Sequence, residues 1–237
     1  MMLLKPKFKI KSLLIALCVV VLVVISIRLF FKIRFNYIIN SITQSKEYLK
    51  KDSCFKKKII RDNSVILLGD SILEDLAFGG DSIYNFCIGG ETTSSLINRI
   101  KHYNFPCNSR IFCMIGVNDF LLNVDEFIIR ENKHRLLNLL LNNSPNSSVI
   151  FLDVLPVNST GFFHNNEEIN NEIIKHNSSF RIEMIGELLY NVDYLSVHNL
   201  FLNSNNSLKS DLSMDGIHLN DSGLFILRNN IFKAIEK

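Results

Sequence analysis

The chain has 237 residues, 47% hydrophobic and 21% charged, so it is neither a disordered polymer nor a coiled coil and has room for one ordinary domain plus an appendage. Ten Gly and four Pro exclude collagen-like and Pro-rich architectures. The net charge of +3 conceals a division: residues 1–61 hold 14 Lys/Arg against 2 Asp/Glu, whereas residues 62–237 hold 12 against 21, a body too acidic to bind nucleic-acid phosphates.

A basic tail, residues 1–11, opens the chain. Residues 12–27 carry no charge, and beyond Arg28 the apolar character continues through Leu29, Phe30 and Phe31. With Arg28 snorkelling to the headgroups, residues 12–31 offer about 20 positions, enough for one bilayer crossing. A cleaved signal peptide shares the charged start and apolar centre. No small-x-small cleavage site follows, however, so an uncleaved single-pass membrane anchor is expected over 12–31. Lys5, Lys7, Lys9 and Lys11 precede it, and Arg28, Lys32 and Arg34 follow, so local charge hardly decides the orientation. The lysines between Lys46 and Lys58 argue for a cytoplasmic body, while the cost of translocating a four-lysine tail argues for the reverse. The chain is read with its N-terminus inside and its body extracytoplasmic. Residues 32–61 read as a basic connector, in which Phe35, Ile38, Ile39 and Ile42 have helical spacing.

From residue 64 a rhythm begins. Short apolar runs at 64–68, 83–88, 110–115, 148–152 and 192–197 read as strands. Helical patterns lie between and after them at 92–102, 125–141, 167–189 and 221–235, with Asp125 and Asp221 as N-cap candidates. This alternation predicts a parallel sheet with helices on both faces, in which a site forms beyond the C-terminal strand ends. The five cysteines show no CxxC or metal-ligand spacing, and Cys87 and Cys113 read as small core residues.

The polar residues after each apolar run therefore carry the chemistry. The first run ends in Gly69-Asp70-Ser71 ahead of a helical stretch, so Ser71 sits at the positive end of a helix with its N–H available to an oxyanion. A second Gly-Asp-Ser at Gly80, Asp81 and Ser82 precedes a strand instead, which assigns it to the opposite rim as a decoy. Gly89-Gly90-Glu91-Thr92-Thr93 follows the second run, either as a tight turn with a Thr cap or as backbone that can approach a ligand. Gly116-Val117-Asn118-Asp119 follows the third and offers the Asn118 amide at the same rim. Near the C-terminus, Asp215 lies three residues before His218, close enough to bond Nδ1 and leave Nε2 free to take a proton. His102, His134, His164, His176 and His198 read as surface or half-buried residues. Phe162 and Phe163, or Leu200 to Leu202, are candidates for an acyl pocket.

These blocks, in this order, resemble the SGNH (GDSL-type) hydrolase family over about residues 62–237. Its first block matches Gly69-Asp70-Ser71; its second resembles 85–93, with Gly90 in the oxyanion position; its third matches Gly116 to Asp119; its last matches Asp215 and His218. Leu155-Pro156-Val157-Asn158 resembles a stretch usual after that family's fourth strand. The resemblance implies a three-layer α/β/α sandwich on a five-stranded, mostly parallel, flavodoxin-like sheet. It implies Ser71 as nucleophile, His218 as general base and acid, and Asp215 as its orienting partner. The Ser71 N–H, the Gly90 N–H and the Asn118 side chain would form the oxyanion hole. No metal or organic cofactor is implied.

The expected activity is a membrane-anchored serine esterase acting on lipid esters or O-acyl groups of a glycan through an acyl-serine. Two alternatives stand beside it. One is an O-acyltransferase, in which a glycan hydroxyl replaces water. The other is an inactive binding module, against which the complete set of motif residues argues.

Overall fold

The computed structural model describes residues 7–79, 82–158, 166–186 and 191–236. Two units are distinguished, residues 1–41 and residues 42–237.

The described residues of the first unit are all helical and belong to α1 (Lys7–Thr43). Its apolar side chains are exposed throughout, from Leu13 at 72% to Phe30 at 62%. Among the described residues, no helix is long and apolar enough to cross a membrane. The transmembrane helix expected over 12–31 is thus not found. The helical spacing read in 32–42 is found, as the end of α1.

The second unit begins with α2 (Lys46–Lys56), whose N-cap Ser45 accepts a hydrogen bond from the Tyr48 N–H. Strands and helices then alternate: β1 (Val65–Gly69), α3 (Ser71–Glu74), β2 (Ile83–Asn85), α4 (Thr93–Ile100), β3 (Arg110–Met114), α5 (Val117–Leu121), α6 (Glu126–Asn143), β4 (Ser148–Leu152), α7 (Asn166–Gly186), β5 (Val192–Leu195), α8 (His198–Phe201) and α9 (Asp221–Ile235). The five strands form one sheet in the order β2-β1-β3-β4-β5, and every pairing is parallel.

Alternation along the strands divides the core. Val65, Leu67, Phe112, Met114, Ile150 and Leu152 join one apolar cluster, with Ile169 and Ile173 of α7 and Leu227 and Ile231 of α9. Ile66, Leu68, Ile111, Cys113, Val149 and Phe151 join the other, with Leu96 and Ile100 of α4 and Leu136, Leu137 and Leu140 of α6. Both faces of the sheet are covered, as a parallel sheet requires, which gives the three-layer architecture. Cys87 and Cys113 are buried core residues, and the five cysteines are free thiols.

Two details toward the C-terminus differ from the expectation. Asn220 caps α9, accepting from the Gly223 N–H, and Asp221 is the first helical residue. β5 stops at Leu195, because the N–H groups of Val197 and His198 turn to the carboxylate of Asp153.

Candidate active site

β1 must lie against β3 for the first block to reach its place. A Cβ on Gly69 would stand 2.2 Å from the carbonyl oxygen of Met114, so glycine is required by close approach. The next residue, Asp70, caps α3 by accepting from the Ile72 N–H at 3.0 Å. Ser71 is then the first residue of α3, beyond the C-terminal end of β1. The decoy serine lies at the other end: the carbonyl of Ser82 accepts from the N–H of Val65, the first residue of β1. Gly80 and Asp81 fall outside the described residues.

The last block is held as a tight loop. Ser213 and Leu219 form an antiparallel bridge, and the Met214 N–H and Ser213 hydroxyl both donate to the carbonyl of His218. Asp215 Oδ1 accepts from the N–H groups of Ile217 and His218, at 2.9 and 2.8 Å. Its Oδ2 takes the His218 Nδ1–H at 2.6 Å. Since a carboxylate only accepts, Nδ1 carries a proton, and in the neutral ring Nε2 then presents a lone pair. That lone pair meets Ser71 Oγ at 3.0 Å. Partial burial works against the Asp215 charge, but the bonds from the His218 ring and the two backbone N–H groups outweigh it and lower its pKa to about 2. The Asn158 N–H donates to the carbonyl of Gly216, tying the loop after β4 to the loop that carries Asp215 and His218.

The second and third blocks meet over one residue. Gly90 has φ +77°, which L side chains rarely adopt. Thr92 then caps α4 with a reciprocal Ser95 bond, as the reading of this segment as a tight turn with a Thr cap expects. Asn118 Nδ2 donates to the carbonyl of Glu91 at 2.9 Å, which uses one of the two N–H groups of the amide. Asp119 holds the two blocks together, accepting from the Thr93 N–H and the Thr93 hydroxyl. Burial drives the pKa of Asp119 up to about 6 and that of Asp70 to about 7.

The structure therefore brings Ser71, His218 and Asp215 into one hydrogen-bonded chain, and ties Asn118 to the residue after Gly90. Glu91 itself was not singled out in the sequence. Its side chain is fully buried and grips Arg99 through two bonds, Oε1 to Nε at 2.6 Å and Oε2 to Nη2 at 2.7 Å. No local spacing signal marks that pair.

The remaining candidates lie elsewhere. Phe162, Phe163 and His164 are outside the described residues. Leu200 and Leu202 line a cavity of about 440 Å³ with Asp153, Arg181 and His198, and neither Ser71 nor His218 is in its wall. His176 and His198 are more buried than expected, at 0% and 5% exposure, because both pack into the sheet's helical cover. Among the described residues, no group of three or more His, Cys, Asp or Glu side chains is placed to hold a metal ion.

Among curated proteins, none matches this chain in sequence. Among solved structures, a proposed platelet activating factor from Streptococcus pneumonia superposes with a TM-score of 0.71 at 19% identity, covering 86% of this chain and 99% of that one. A GDSL-like lipase from Bacteroides thetaiotaomicron gives 0.66 at 18%, over 82% and 98%. The OSK domain of Drosophila Oskar gives 0.58 at 17%, over 72% and 88%. At these identities the likeness establishes the fold. The family model for the GDSL-like Lipase/Acylhydrolase family matches residues 67–224, which span the Ser71, Gly90, Asn118 and His218 blocks and more than half of the chain. The chain belongs to the GDSL-like Lipase/Acylhydrolase family and, with it, to the enzymes that act on esters.

Proposed function

We propose that this protein is a serine esterase that cleaves carboxylic esters, carried by a lipid or an O-acylated glycan at a membrane surface, through an acyl-serine intermediate. The observation that carries this reading is the continuous chain from Ser71 Oγ through the His218 ring to Asp215. Ser71 Oγ attacks the ester carbonyl carbon while His218 Nε2 takes its proton. The carbonyl π electrons move onto oxygen, which the N–H groups of Ser71 and Gly90 and the free N–H of Asn118 receive. Collapse of this intermediate breaks the bond to the leaving oxygen, which accepts the proton from His218. Water then repeats the sequence on the acyl-serine and frees the acid. Asp215 fixes the ring's tautomer and stabilises its charged form. None of these steps calls on a metal or cofactor.

The exposed apolar side chains of α1 support the membrane part of the reading. Residues 12–31 serve as a single-pass anchor, with the body extracytoplasmic. Resistance of the full chain to carbonate extraction, and digestion of its body by protease added outside intact cells, are the expected results. Extraction by carbonate, or full protection of the body, refutes the anchor or its orientation respectively.

The activity is tested with the purified full chain in detergent, using p-nitrophenyl esters from acetate to palmitate. Ser71→Ala is expected to abolish turnover and fluorophosphonate labelling, and Ser82→Ala to leave both intact. The reverse pattern sinks the assignment of the nucleophile. Preference for acetate points to a glycan O-acyl substrate; a rise with chain length points to lipid.

A further inference from the structure

The segment from Ile42 to Lys51 touches two residues of the loop that carries Gly90, Gly90 and Glu91, and reaches a third, Gly89, through Glu74, although it precedes the family match at residues 67–224. A Cβ built on Gly90 would lie 3.2 Å from Cγ2 of Ile42, so this side chain stands directly over the glycine. The Gly89 N–H donates to Glu74 Oε2 at 2.7 Å, and the other oxygen of Glu74 is held by Lys51. Lys51 also pairs with Glu47 at 3.0 Å, inside α2. The Tyr48 hydroxyl, on a side chain only 6% exposed as a residue, donates to Glu91 Oε1 at 2.7 Å.

Glu91 is the junction. Its carboxylate is clamped by Arg99, whose Nη2 also donates to the carbonyl of Phe86. Its N–H follows Gly90 directly, and its carbonyl orients the Asn118 amide. One of the three oxyanion donors named above, the Asn118 amide, is thus held by the backbone of Glu91, and another, the Gly90 N–H, lies one residue before it in a turn that the Glu91 N–H closes on the carbonyl of Ile88. The Glu91 side chain is anchored from α4 on one side and from α2 on the other. A second group of bonds fastens α2 in place: the Tyr103 hydroxyl donates to Asp52 Oδ1 at 2.6 Å, and Phe55 stands edge-on to Phe86, with ring centroids 4.9 Å apart.

We infer that residues 42–51 form a positioning clamp for the oxyanion hole, with Tyr48 as its central positioning residue. The clamp sets the direction of the Gly90 N–H and the Asn118 amide before a substrate arrives. Preorganised donors stabilise the oxyanion without reorganising during the reaction, so loosening them slows the chemical step and spares ground-state binding. The inference rests on the serine-esterase reading.

A double-mutant cycle in the full chain separates the possibilities. Tyr48→Phe keeps the ring and removes one hydrogen bond to a carboxylate; it is expected to lower kcat about tenfold with KM nearly unchanged. The rate of inactivation by a fluorophosphonate, whose phosphoryl oxygen occupies the oxyanion hole, should fall alongside. In the Asn118→Ala background the same change should cost less than about twofold, because part of what Tyr48 fixes is then gone. Ile42→Ala, at a half-buried position, is read in the same way.

An equal loss in both backgrounds overturns the clamp, as does a rise in KM at constant kcat. So does a lower melting temperature with kcat unchanged per fluorophosphonate-titrated site, which marks Tyr48 as structural support alone. A parent chain that is folded yet unreactive toward both the esters and the fluorophosphonate removes the esterase reading and the clamp with it. A reactive parent with an unaltered Tyr48→Phe variant removes the clamp alone.

Discussion

Two acid–base pairs of the proposed site lie in opposite surroundings. Glu91 and Arg99 are sealed in the interior, with side chains 0% and 1% exposed. Asp215 and His218 sit at the surface, 51% and 35% exposed. Charges taken out of water need an excellent partner, and losing that partner is costly because an uncompensated charge stays buried. An exposed pair is screened and contributes little to folding. The buried pair therefore shapes the backbone around Gly90, whereas the exposed pair is placed where its proton can move. On the proposed reading, the same types of bond are fixed scaffolding in one region and working parts in the other.

The largest expected effect comes from the exposed pair. Asp215→Asn can present an amide N–H to Nδ1, which favours the tautomer with Nε2 protonated and blocks proton uptake from Ser71. A fall of about 10⁴-fold in kcat is expected, by analogy with the same change in other serine triads. The unfolding free energy should move by less than about 0.5 kcal/mol, as for most exposed positions. Steady-state kinetics beside urea unfolding of the full chain measures both. A large stability loss from this variant would erase the contrast between the two pairs.

Arg99→Met tests the other arm and should act in the reverse sense. It leaves Glu91 buried with only the Tyr48 hydroxyl as a side-chain donor, and a loss of about 3–5 kcal/mol in unfolding free energy is expected. Burial already raises the Glu91 pKa against the lowering effect of Arg99, so the variant's Glu91 should take up a proton. Part of the lost stability should then return as the pH is lowered, which a series of urea midpoints detects. Wild-type stability in Arg99→Met would mean that the buried pair contributes no more than a surface one.

What could be read from the sequence follows the same division. β1, β3 and β4 lie within a residue of their apolar runs because buried parallel strands are continuous in apolar residues. The second run was expected over 83–88, but β2 ends at Asn85. There the side chain turns aside to the carbonyls of Leu73, Glu74 and Leu76, a contact with no periodic signature. The residues around Ser71 and His218 were legible because each block is a short local turn with its own chemistry. Tyr48 was not legible. It meets Glu91 across 43 positions of chain, and only the docking of α2 brings them together. Nor could periodicity tell Asn220 from Asp221 as the cap of α9, since adjacent residues with capping side chains satisfy the same pattern.

The smallest expected effect concerns Asp70, a buried carboxylate beside the exposed machinery. Burial raises its pKa from 3.8 to about 7; the Ile72 N–H pulls the other way, while Asp119 and Glu91 push it further up. Between roughly pH 4 and 7 the folded chain therefore keeps a proton that the unfolded chain releases. The stabilising contribution is fully present below the unfolded value and is lost as the pH rises through the folded one. Asp119, raised to about 6, acts in the same direction over a narrower window. Asp70→Asn keeps an acceptor for the Ile72 N–H, since Asn caps helices about as well as Asp, and removes the titration. Its denaturant midpoint should fall less steeply than the parent's between pH 4 and 7, with the remaining slope confined below about pH 6. An unchanged slope would show that Asp70 is already ionised in the folded protein across that range, with water reaching its free oxygen.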